Sequence, residues 1–239
     1  MRGLTVNSLS QDLVGDNAAH HQVGQCFSNV ELGSYFAGDA YAIYSKSFIT
    51  FPCAILVSVA LVLTYASLFS ENKFIVADLL QVEIEFRTSE LTGVLLSISE
   101  QRGYPAMSLE LNNGRVILAG DIGDRRGFEV VLSLPTQWTL CDNRWHRIRT
   151  SYKQGQLELQ VDDMKQIHSL PDDGHYVETR TNSPMFIGGL PEGAISETLG
   201  VKDNFKGCMR KVMIGGERRD WTVMADLHNI GLGSCPVVN

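Results

Sequence analysis

Apolar and polar residues alternate strictly over residues 80–88: Val82, Ile84 and Phe86 fall on one side of an extended chain, and Glu83, Glu85 and Arg87 on the other. A half-buried strand requires that period of two. Short blocks of Val, Ile, Leu, Phe and Thr broken by Gly, Asn, Asp and Pro predict further strands at 93–99, 107–111, 115–119, 128–132, 146–152, 157–161, 184–187 and 208–214. Between them, Asn113-Gly114, Gly155-Gln156 and Gly188-Gly189 suit tight reversals with positive φ. Tyr35, Phe36, Tyr41 and Tyr44, with small residues between them, predict an opening strand pair within 26–44. Roughly ten short strands without an intervening helical period imply an all-β fold of two antiparallel sheets packed face to face.

Two segments break the pattern. Residues 1–25 are polar, rich in Asn, Gln, Ser and His, and read as a disordered linker. Residues 47–70 carry no charged side chain. As a helix, these 24 residues would span roughly 36 Å at ~1.5 Å each, enough for a hydrocarbon core of roughly 30 Å, so they form a candidate transmembrane helix. Arg2 and Lys46 before it and Lys73 and Arg87 after it leave the positive-inside rule tied. A helix apolar on every side has no place inside a sandwich already filled by its own side chains.

Composition narrows the function classes. The 239 residues carry a net charge of −7, which argues against general nucleic-acid binding. Cys26, Cys53, Cys141, Cys208 and Cys235 show no zinc spacing, and their wide separation favours disulfides in a secreted domain. The first thirty residues lack a leader pattern, so targeting is expected from a longer polypeptide or from residues 47–70.

Eight blocks then occur in one order: GSYF at 33–36, VEIEFRT at 82–88, TGVLLSIS at 92–99, LCDNRWHRI at 140–148, LELQVDD at 157–163, SPMFIGGLP at 183–191, FKGCMRKV at 205–212 and SCP at 234–236. Together they resemble a laminin G-like module over residues 26–236, closest to the last such module of a laminin α chain. The resemblance implies a concanavalin-like jelly roll and an extracellular adhesion module of basement membrane, without catalysis or cofactor. It implies the disulfides Cys208–Cys235 and Cys26–Cys141, leaving Cys53 unpaired. It also implies binding to cell-surface receptors or sulfated glycans, with laminin β and γ chains reached only through upstream regions. Residues 49–74 interrupt a region continuous in such modules, as a retained intron or misassigned exon would; the alternative is a single-pass, membrane-anchored protein.

Many modules of this type hold rim calcium through acidic side chains. Here those positions carry Tyr104 and Arg180, and an arginine offers no oxygen ligand, so no metal site and no calcium-dependent dystroglycan binding are expected. The remaining candidate is basic. Lys202, Lys206, Arg210, Lys211, Arg218 and Arg219 outnumber Asp203, Glu217 and Asp220 by three, and with Arg180 they could hold a sulfated polyanion. Trp145, flanked by Arg144, Arg147 and Arg149, reads as a packed indole among solvated arginines. His20, His21, His146, His168, His175 and His228 could serve as bases, and Asp142 stands four residues before His146, but no Ser or Cys sits in a nucleophile-elbow context.

Overall fold

The computed structural model describes residues 30–44, 80–98, 106–121, 127–135, 138–153, 155–170, 184–194, 196 and 198–237, with backbone pairing also at 5–6, 9–10, 74–75 and 180–181. Twelve strands build the body: β1 (Ser34–Tyr44), β2 (Val82–Arg87), β3 (Gly93–Ile98), β4 (Ala106–Asn112), β5 (Arg115–Asp121), β6 (Phe128–Leu132), β7 (His146–Lys153), β8 (Gln156–Val161), β9 (Met164–Ser169), β10 (Met185–Ile187), β11 (Lys206–Ile214) and β12 (Asp226–Gly231).

One sheet runs β6-β5-β4-β3-β10-β1 and the other β9-β8-β7-β2-β11-β1, with β12 alongside β1. The named pairings are all antiparallel, and β6 and β9, at opposite ends of the order, meet in space. Strand β1 belongs to both layers. Ser34 to Ala37 pair with β11, Ala42 to Tyr44 pair with β10, and Gly38 between them sits at φ +103°, where a side chain would be strained. The core is filled by the inward positions of both sheets, among them Phe36, Ile84, Phe86, Leu96, Leu109, Leu118, Ile148, Leu159 and Met209. This is the all-β jelly-roll sandwich expected, and Asn113 (φ 52°) and Gly114 (φ 74°) make the two-residue turn between β4 and β5.

Several expectations need correction. The opening strand pair is instead one eleven-residue strand, β1, preceded by Val30–Glu31, which pairs with Cys235–Pro236. Of the polar start, 1–25, only the backbone pairing of Thr5–Val6 with Leu9–Ser10 is described, and the rest lies outside the described residues. Residues 47–70 lie outside the described residues, and among the described residues no helix is long and apolar enough to cross a membrane. Of the expected insert, 49–74, only Phe74 is described, through its backbone pairing with Thr181 beside that of Ile75 with Arg180.

A loop covers the outer face of the first sheet. Glu110 is buried and accepts hydrogen bonds from the backbone N–H of Gly200 (2.8 Å) and Val201 (3.2 Å). Ser108 Oγ donates to Thr198 O at 2.8 Å, and the Ser97 and Ser196 hydroxyls meet at 3.2 Å. Polar residues on this face are buried because the loop satisfies them.

Candidate functional site

Outward side chains of the second sheet form rows across its strands, since residues in register share a face. One row reads Arg218, Met213, Glu83, Arg149, Gln160 and Lys165. The next contains Arg210, Glu85 and Arg147. Arg149 Nη2 lies 2.8 Å from Glu83, and Arg147 Nη2 lies 3.0 Å from Glu85. Arg210 Nε and Lys211 Nζ reach the same Glu85 carboxylate at 2.7 and 2.8 Å. Two consecutive residues can do so because the register shifts between Arg210 and Met213, with Lys211 at φ 51°; this bulge delivers both cations to one face.

Burial alone would raise the Glu85 carboxyl, but hydrogen bonds from Lys211, Arg210 and Arg147 outweigh it and lower its pKa from 4.5 to about 2. The stability gained is therefore complete above pH 4.5 and is lost as pH falls toward 2. A shift of this size corresponds to about 3 kcal/mol. Thermal melts between pH 5 and pH 2 should show a steeper loss in the wild type than in Glu85→Gln; parallel curves would contradict the assignment.

Trp145 closes the upper end of this face. The Arg210 guanidinium lies 4.0 Å over its ring and that of Arg87 5.3 Å, within cation–π range. Arg87 also pairs with Glu31 and donates to Cys235 Sγ at 2.8 Å and to the Pro236 carbonyl. The expected solvated arginines thus divide: Arg144 is exposed, whereas Arg147 and Arg149 are half-exposed members of the charged rows.

The expected basic cluster divides as well. Arg210, Lys211 and Arg218 share the outer face. Lys206 starts β11 and pairs with Glu90 at 3.3 Å, Lys202 stands on the preceding loop, and Arg219 turns back over the Tyr44 ring at 5.3 Å. Arg180 is described only through its backbone pairing with Ile75, and Tyr104 lies outside the described residues. Sequence reading left Arg147, Arg149 and Lys165 out of the cluster, although the alternation in HRIRT already turned Arg147 and Arg149 outward.

Cys208 and Cys235 form a disulfide, with Cα atoms 6.0 Å apart. Among the described residues Cys141 has no disulfide partner, and its Sγ lies 2.9 Å from Glu90 O; its expected partner, Cys26, lies outside the described residues, and their pairing stands as a proposal. Asp142 does meet His146, Nε2 at 3.0 Å, but Nδ1 faces Asp162 at 2.8 Å. Both ring nitrogens are occupied in tying two turns together, a structural role for this histidine.

The sequence model of the laminin G domain matches residues 86–217, more than half of the chain. The chain belongs to the laminin G domain family. Human laminin subunit alpha-1 is 27% identical over 237 residues, 98% of this chain but 7% of that protein. Rat pikachurin is 27% identical over 154 residues, 62% of this chain and 15% of that protein. The chain therefore spans a small fraction of these relatives. Among solved structures, domains LG4-5 of the mouse laminin alpha1 chain align with a TM-score of 0.69 at 24% identity, over 98% of this chain and 54% of that one. The LG1-3 region of the laminin alpha2 chain aligns at 0.62 and 20% identity, over 94% of this chain and 39% of that one. These structural likenesses show that this laminin G domain has the fold of laminin modules.

Proposed function

We propose that this laminin G domain is an extracellular adhesion module of basement membrane that holds sulfated glycans of the heparan sulfate type on the outer face of its second sheet, without calcium. Charge is the observation that carries this reading. Among the described residues, Arg147, Arg149, Lys165, Arg210, Lys211 and Arg218 share that face with Glu83, Glu85 and Glu158, on a chain whose net charge is −7. The side chains of Arg147, Arg149 and Lys211 are about half exposed despite their ion pairs, at 47%, 48% and 50%. Their remaining N–H groups can therefore donate to sulfate oxygens, and guanidinium suits such planar recognition. Glycan-bearing cell-surface receptors would be retained by the same face. Calcium has no part in this reading, since Arg180 cannot donate an oxygen and would repel the ion.

Heparin-agarose chromatography tests the reading. The full chain should be retained at low salt, elute on a sodium chloride gradient, and behave the same with a chelator present. Arg149→Ala with Lys211→Ala should weaken binding about tenfold, equivalent to roughly 1.4 kcal/mol, while Lys202→Ala should change little. Flow-through at low salt, or retention only with added calcium, would overturn it.

A further inference from the structure

An open cleft of about 940 Å³ lies away from the basic rows, beside the bend of β1. One wall is built by β1 and β12, where Tyr41 and His228 are direct cross-strand partners. Their rings stack with centroids 4.9 Å apart and planes 18° from parallel. Phe186 braces the Tyr41 ring edge-on at 6.4 Å, and His228 is exposed, so the stack presents a supported aromatic surface to the cleft.

Beside it, Asn229 sits at φ 51° where the β12 register shifts, and its Nδ2 donates to Asp39 Oδ2 at 2.9 Å. That contact fixes a carboxylate and an amide next to the rings. The opposite wall is held in place by Asn204, which accepts from Leu190 N at 2.9 Å and donates to Leu190 O at 3.2 Å. Ser196, Glu192, Asp203 and Lys202 complete the rim.

We propose that this cleft is a binding site for a neutral saccharide. A flat aromatic surface, electron-rich on its face, suits the C–H face of a pyranose ring. An adjoining carboxylate and amide suit vicinal hydroxyls, which donate to one and accept from the other. Among the described lining residues, Asp39, Glu192 and Asp203 outnumber Lys202 and disfavour a sulfated chain, so the site is distinct from the basic face. A purely apolar ligand would leave these polar groups unpaired.

The test is an NMR titration of the full chain with lactose, N-acetyllactosamine, maltotriose and chitotriose, each taken to millimolar concentration. At least one sugar should shift the His228 and Tyr41 ring resonances. His228→Ala and Asn229→Gly, both at exposed positions and the second keeping the left-handed backbone, should each weaken that binding at least tenfold, while Lys211→Ala leaves it unchanged. The proposal fails if no sugar moves these resonances, if both variants bind as the wild type does, or if an arginine-rich peptide shifts them and no sugar does.

Discussion

Gly207→Ala should destabilise this laminin G domain by at least about 3 kcal/mol, combining backbone strain with overpacking. Gly207 sits at φ +148°, which L side chains rarely adopt, and an added Cβ would lie 2.3 Å from the Arg87 carbonyl oxygen and 2.8 Å from the Phe205 ring. The carbonyl cannot swing aside freely. It belongs to β2, whose Arg87 is in register with Cys208, while the following Thr88 hydroxyl donates to Lys206 O at 2.6 Å. Relieving the clash means separating β2 from β11 where both carry core residues, Phe86 and Met209. Thermal unfolding of the variant should fall by many degrees, and Gly207→Ser should do no better. Wild-type stability in Gly207→Ala would show that the two strands do not approach in this way.

Loss of the Cys208–Cys235 disulfide should cost roughly 3 to 4 kcal/mol, as expected from loop closure over a separation of this length. The bond joins cysteines 27 residues apart and both buried. Its removal frees more than a loop, because Cys235–Pro236 pairs with Val30–Glu31 and both segments converge on Arg87, which contacts Glu31, Cys235 and Pro236. Cys208→Ala with Cys235→Ala should therefore show a lower urea midpoint and lose hydrogen-exchange protection first at residues 30–31 and 235–236. An unchanged midpoint would remove the disulfide from the stabilising framework. Peptide mapping under non-reducing conditions checks the connectivity itself.

The strands legible in the sequence are those with one dry face. Phe128–Leu132 matches its expected bounds, and Val82–Arg87 shows the inward Val82, Ile84 and Phe86 that its alternation promised. Met164–Ser169 and Asp226–Gly231 escaped because none of their residues is buried, and MKQIHS and DLHNIG carry no sustained apolar period. Their pairing is dictated by neighbours rather than by their own pattern. Glu85 is a different case: its outward direction was readable, but its burial was not. That burial arises from three cations on two neighbouring strands, a convergence set by register and by the bulge at Lys211. The cluster read along 201–221 was divided for the same reason, since neighbours in sequence alternate across a strand while neighbours in space come from other strands.

Strand β1 is stitched to one layer through Ser34 to Ala37 and to the other through Ala42 to Tyr44, with β12 running beside both halves. A domain that transmits tension through its ends cannot peel away one layer and leave the other intact, because the shared strand would have to leave both. Such a module should hold its load and then yield in a single event.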